Sequence, residues 1–175
     1  MEHKILITDD KKEESFLRTP TLPFIPEDKQ NFRVGEKRIT SKDLAKLIAE
    51  MKKTMFAANG IGLSANQIGL PYQLFVASVP TSQGERKFYA VLNPRIEKTG
   101  DETLTLEEGC LSIPEMYGDV SRSKQVIITG YDKLGKQLKV KAWGLLARVF
   151  QHEIDHLNGK LFIDRTKHVR RVPLE

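Results

Sequence analysis

The run His152-Glu153-Ile154-Asp155-His156 limits what this chain can become more than any other feature. Histidines four residues apart project from one face of a helix, so both imidazoles can reach a single ion. Glu153, beside the first of them, can contact a water on that ion. The pentapeptide therefore needs a helix, and a fold that turns one side of it inward. A helix is predicted over residues 145–157, ended by Asn158-Gly159, with Leu145 and Val149 leading into the histidine face. A catalytic divalent ion takes three protein ligands and leaves one place for water. Only nineteen residues follow His156, and Asp164 and His168 are the candidates among them. Neither sits in the glycine-containing extension that metzincin proteases use. The third ligand is expected upstream, and Cys110, the one thiol in the chain, is the obvious supplier.

A lone cysteine is in general a small buried hydrophobe, but a metal motif short of a ligand reverses that reading. The surroundings agree. Glu107-Glu108-Gly109-Cys110-Leu111-Ser112-Ile113-Pro114 has a glycine beside the thiol and a proline shortly after it, as suits an extended or turning segment. One thiolate and two imidazoles suit zinc, ferrous iron, cobalt or nickel. Any of these brings the pKa of bound water toward neutrality, so the reaction class is metal-assisted hydrolysis of an acyl or related bond.

The rest of the chain frames that helix. With 175 residues, 39% hydrophobic and 29% charged, it suits one globular domain spanning 1–175. Residues 1–40 are expected to be an irregular wrap, since Pro20, Pro23 and Pro26 break any helix. A helix follows with Ser41 as its cap and Asp43 in its first turn. Leu44, Leu47, Ile48, Met51 and Met55 form its core stripe, and Gly60 is the stop. Strands are expected over 73–79 and 88–92, joined by Ser82-Gln83-Gly84, and a hairpin over 125–131 and 137–142, turning at Asp132-Lys133-Leu134-Gly135. Strands crowd the middle and helices lie near each end, so the class is α+β, with mixed or antiparallel sheets around a C-terminal metal-binding helix. No apolar run reaches the ~18 residues a membrane helix needs, and the start is too short in apolar residues for a signal peptide. One cysteine allows no internal disulfide. A cytoplasmic protein is the expectation. The net charge of +5 gathers partly at the end, in Lys167-His168-Val169-Arg170-Arg171, and residues 166–175 are read as a short, solvated basic tail.

One more segment bears on chemistry: Gly60-Ile61-Gly62-Leu63-Ser64-Ala65-Asn66-Gln67-Ile68-Gly69. A dinucleotide loop follows a strand and opens a helix, and here the order is reversed. The glycines permit close backbone approach, and Gln67 offers an amide that can donate to an oxyanion. A helix stop followed by a turn explains the segment equally well. Together, however, Gly60–Gln67, Glu108-Gly109-Cys110-Leu111-Ser112 and Gln151–His156 resemble, in this order, the three hallmark segments of the peptide deformylase family. The likeness runs from about residue 41 to residue 165.

That resemblance implies a peptide-deformylase-like fold and specific roles. Cys110, His152 and His156 would bind one divalent ion, commonly ferrous iron in this family, with zinc or nickel able to replace it. Glu153 would take a proton from the attacking water and pass it to the leaving amine. The Gln67 side chain and the Leu111 backbone N–H would hold the oxyanion. Gly62 would pair with the substrate backbone, while Ile61, Leu145 and Val149 would wall a pocket for methionine. The substrates implied are N-formylmethionyl nascent peptides, and the products formate and a free N-terminus. Ser64 and Asn66 stand where many members have alanine and proline, which bears on loop stiffness more than on chemistry. Many bacterial members add a C-terminal helix that docks at the ribosome; here any such contact would fall to the basic tail. Two other readings remain: a metalloprotease, indifferent to Cys110→Ser, and a non-catalytic metal-binding or ribosome-associated module, tolerant of Glu153→Ala.

Overall fold

Helical periodicity, turn chemistry and alternation divide the described residues into fourteen labelled helices and strands. The computed structural model describes residues 2–28, 30–81 and 83–172. Among them are three helices, α1 (Lys11–Leu17), α2 (Ser41–Ala57) and α3 (Gly144–Leu157), and eleven strands. The strands are β1 (Ile25–Pro26), β2 (Asn31–Val34), β3 (Lys37–Thr40), β4 (Gly62–Ser64), β5 (Leu74–Pro80), β6 (Arg86–Thr99), β7 (Thr103–Cys110), β8 (Ile113–Ser123), β9 (Gln125–Tyr131), β10 (Gln137–Trp143) and β11 (Val169–Arg171). They form three antiparallel sheets, ordered β1-β2-β3, β10-β9-β6-β5-β4 and β11-β8-β7. The class is α+β, as expected. No helix among the described residues is long and apolar enough to cross a membrane.

α3 runs between the two larger sheets and is buried on most of its circumference, from Ala147 to Leu157. Phe150 anchors it, its ring 5.4 Å from that of Phe75 and 5.2 Å from that of Tyr89. Each such fully buried aromatic or aliphatic side chain contributes about 1.5–3 kcal/mol. α2 covers the far end of the five-stranded sheet, where Leu44, Ile48, Met51 and Met55 meet Leu63, Leu74 and Val76. The methionines are core, as their spacing predicts.

Several local expectations need correction. Residues 1–40 are not an irregular wrap. Asp10 Oδ1 accepts from the N–H groups of Lys12 (2.8 Å) and Glu13 (3.1 Å), which caps α1, and the three prolines all follow that helix. β1, β2 and β3 then form a small sheet. Thr40, not Ser41, caps α2, in a reciprocal capping box with Asp43. α2 stops at Ala57, before Gly60, and Asn59 supplies the left-handed backbone (φ 55°). The hairpin β9–β10 falls where turn chemistry places it, with Asp132 Oδ1 accepting from Leu134 and Lys136 N–H. Of the turn at 82–84, Ser82 lies outside the described residues. The expected strand over 88–92 is the middle of the longer β6, and the hairpin β7–β8 was not foreseen as strands. Finally, the tail is not simply solvated: β11 pairs with β8, Arg170 with Glu107 and Arg171 with Glu115. Residues 173–175 of that tail lie outside the described set.

Candidate metal centre and its cleft

Cys110 ends β7, where the ladder with β8 shifts register between Gly109 and Cys110. Such a bulge re-aims a side chain, and this one presents the thiol to α3. Cys110 Sγ lies 3.1 Å from His156 Nε2, which is itself 3.1 Å from His152 Nε2. The three donor atoms all lie within 4.8 Å of one another. One sulfur and two imidazole nitrogens converging on one point fit a divalent ion with bonds of about 2.0–2.3 Å. The residues present thus fit the group that the pentapeptide calls for.

The three donors are backed by a buried network of charge. His152 Nδ1 is 3.0 Å from Glu108 Oε2, which fixes the ring and leaves Nε2 for the ion. Glu108 also accepts from Arg122 Nε (2.6 Å) and Nη2 (2.9 Å) and from Arg148 Nη1 (2.6 Å). Arg122 continues to Asp155 (2.7 Å), which also pairs with Arg165. Burial would raise the pKa of Glu108, but its hydrogen bonds with His152 and Arg122 win and lower it to about 2. Burial likewise depresses His152, yet hydrogen bonds to Cys110 and Glu108 carry its pKa up to about 10. His156 has no such carboxylate, and burial followed by the charge of His152 pushes it well below its ordinary value. Arg122, Arg148 and Asp155 escaped the sequence reading as functional residues. The one signal was spacing, since Arg148 precedes His152 by four.

Glu153 is buried and faces the same cavity from the other side. Its Oε2 accepts from Ser64 Oγ at 2.6 Å. Burial raises its pKa, opposed by the charge of His152 and by the Ser64 hydrogen bond. Gly62 explains part of the glycine-rich segment: a Cβ there would lie 2.8 Å from Glu153 Cδ, so only glycine leaves room for the carboxylate. Gln67 is held at both ends, Oε1 by Ser64 N–H (2.9 Å) and Nε2 by Ser112 Oγ (3.1 Å), with Cys110 Sγ 3.6 Å away. Leu111 follows Cys110 in the turn to β8, and its side chain fills the space beside Gly60.

These groups open on a cleft of ≈ 580 Å³, lined among others by Ile61, Gly62, Gln67, Leu111, Val149 and Glu153. β4 and β7 are each the last strand of their sheets and both border it. Val149 is buried in its wall, whereas Leu145 is 46% exposed and sits at its mouth. Every residue predicted from sequence for catalysis, metal or substrate therefore lies in or against one cleft. Ser64 and Asn66, expected to matter for loop stiffness, instead touch α3. Ser64 reaches Glu153, and Asn66 Nδ2 donates to the His156 carbonyl at 2.7 Å.

Comparison with known proteins gives a consistent result. Residues 28–172 match the family model described as polypeptide deformylase. A peptide deformylase of Syntrophobacter fumaroxidans is 46% identical over 128 residues, 73% of this chain and 75% of that protein. One of Rhizobium meliloti is 46% identical over 130 residues, 74% of each. Among solved structures, the peptide deformylase of Thermotoga maritima superposes with a TM-score of 0.78 at 34% identity, covering 95% of this chain and 99% of that one. A probable peptide deformylase from the Synechococcus phage S-SSM7 gives a TM-score of 0.78 at 34% identity over 94% of this chain and all of that one.

Proposed function

The chain belongs to the polypeptide deformylase family, and from that premise we propose that it removes the N-formyl group from the N-terminal methionine of nascent polypeptides, releasing formate. The observation that carries this reading is the convergence of Glu153, Gln67 and the Cys110–His152–His156 donors on one cleft. Cys110, His152 and His156 would hold one divalent ion, ferrous iron in the cell, with zinc, nickel or cobalt able to replace it. Bound there, the ion would supply Lewis acidity and a water of lowered pKa.

The chain's own residues do the rest. Glu153 takes a proton from the water as its oxygen attacks the formyl carbon, and returns it to the nitrogen as the C–N bond breaks. Burial raises its pKa by favouring the protonated form, which suits a group that must take up a proton and hand it on. Gln67 Nε2 and the Leu111 backbone N–H stabilise the oxyanion. The ties from Gln67 to Ser64 and Ser112 mean that its amide need not reorganise during reaction. Gly62, on the free edge of β4, pairs with the extended substrate backbone. Ile61 and Val149 wall the methionine pocket and Leu145 closes its mouth. A tight wall rejects acyl groups larger than formyl, because overpacking a dense site is costly.

The deciding experiment is formate release from a short formyl-methionyl peptide by anaerobically purified, iron- or nickel-loaded protein. Wild type should release formate, and Glu153→Ala should lose at least ~10²-fold in kcat. Silence from folded, metal-loaded wild type would sink the proposal. We place residues 1–175 in the cytoplasm, acting as one unit where formylated chains are made. Ribosome contact through Lys167–Arg171 should be weak, since Arg170 and Arg171 already pair with Glu107 and Glu115. A pelleting assay with salt-sensitive, near-complete co-sedimentation would contradict that.

A further inference from the structure

Among the described residues, two buried side-chain atoms lack a hydrogen-bond partner: Asn66 Oδ1 and His156 Nδ1. They belong to residues already in contact. Asn66 Nδ2 donates to the backbone carbonyls of His156 (2.7 Å) and Leu17 (3.3 Å). Both partners only accept, so they fix which end of the amide is the NH₂ and leave Oδ1 as an acceptor turned elsewhere. The His156 ring is fixed in the same way. Its Nε2 lies 3.1 Å from both Cys110 Sγ and His152 Nε2, so this nitrogen belongs to the ion. A neutral imidazole that ligates through Nε2 carries its proton on Nδ1. The two orphans are therefore a donor and an acceptor. Both residues are essentially inaccessible to bulk water, at 0% and 1% exposure, and buried polar groups of this kind are almost always satisfied.

We propose that Asn66 is the outer partner of His156, its Oδ1 accepting the Nδ1–H through one buried water, where Glu108 lies directly against His152. This rests on the reading of Cys110, His152 and His156 as metal ligands. Asn66 is a positioning residue, not a catalytic one: it holds the tautomer and tilt of the second imidazole. The division of labour follows from chemistry. A carboxylate behind each histidine would bury two negative charges beside a thiolate, whereas a neutral amide orients the second ring without adding charge. Asn66 also ties His156 to the end of α1 through Leu17, so the orientation of this ligand depends on the N-terminal helix being docked.

The test uses the full chain in its zinc form, with Asn66→Leu and Asn66→Asp. Leucine keeps the volume and removes both polar ends, and aspartate keeps an acceptor oxygen. Zinc affinity is read by chelator competition, the tautomer by NMR of ¹⁵N-labelled histidine, and integrity by thermal melting of the metal-free protein. In wild type the His156 proton should sit on Nδ1 and exchange slowly. Asn66→Leu should bind zinc about 10–100-fold more weakly, and Asn66→Asp should recover most of that loss even if its metal-free form melts earlier. A folded Asn66→Leu with wild-type affinity would overturn the inference. So would a wild-type His156 protonated on Nε2, or one whose Nδ1 proton exchanges as fast as an exposed ring, and these two outcomes need no variant to fold. Wild type that binds no zinc would instead overturn the ligand reading itself.

Discussion

Gly62 and Glu153 share a space that holds one of them only because the other has no side chain. A Cβ at Gly62 would press on the Glu153 carboxyl group, which is also the group held by Ser64. Gly62→Ala should therefore displace the carboxylate by a fraction of an ångström to an ångström while leaving the candidate ligands Cys110, His152 and His156 in place. Displacements of that size cost ~10²-fold in rate. The expected outcome is a fall of that order in kcat with metal content unchanged, measured by formate release and metal analysis. An Ala variant with wild-type kcat would show that Glu153 adjusts freely. At this scale the placement of His152, Glu153 and His156 was legible from their spacing, that of Cys110 from its being the one thiol, and that of Gln67 only through the family resemblance. Ser64 and Asn66 were not, since their partners lie 89 and 90 residues away. Arg148 looked like any helix arginine until Glu108 was seen beside it.

The helices follow from periodicity, and their ends from single side chains. α2 starts where Thr40 Oγ1 accepts from Asp43 N–H (3.1 Å) and the Asp43 carboxylate bonds back to the Thr40 hydroxyl (2.7 Å). Thr40→Ala should cost about 1 kcal/mol, read by urea denaturation. The hydrogen bonds from Thr40 hold the Asp43 carboxyl below its ordinary pKa. Its contribution is therefore complete above the unfolded value of about 3.9 and disappears as pH falls through the lower folded value. The stability gap between wild type and Asp43→Asn should accordingly be present at neutral pH and close in acid; a gap that widened in acid would contradict this. Among strands, β9 and β10 were legible because Asp132 and Gly135 mark their turn. β7 was not, although Thr103-Leu104-Thr105-Leu106 alternates. Its leucines are exposed, 42% and 47%, so the alternation does not mark a core face.

Across the whole molecule, the sheet of β7, β8 and β11 meets α3 through charge as well as packing. Glu108 on β7, Arg122 on β8 and Asp155 on α3 form one buried chain of ion pairs, continued to Arg165 just beyond the helix. Removing one member leaves the others buried and uncompensated, which costs about 3–5 kcal/mol. Arg122→Met should therefore lower the melting temperature by roughly 6–20 °C for a chain of this size. A shift within a degree of wild type would mean that water enters and screens the network. The α+β class was legible from the order of helical and alternating segments. Strand pairing beyond hairpin neighbours was not, and neither was the conversion of the basic end into β11, because both are settled by edges that the sequence does not display.

The first residues of the chain are sewn into the centre from outside. Leu6 N–H bonds to the Gln67 carbonyl and Thr8 N–H to that of Ser112, while Leu17 meets Asn66. The residues before α1 therefore find part of their seat beside Gln67 and need the segment after Cys110 only for the rest. Cys110 precedes both His152 and His156, so the segment up to the β9–β10 hairpin carries the thiol but neither of the imidazoles that face it. The candidate centre thus takes its thiol from β7 and both imidazoles from α3, and the donor set is complete only once those two elements have met.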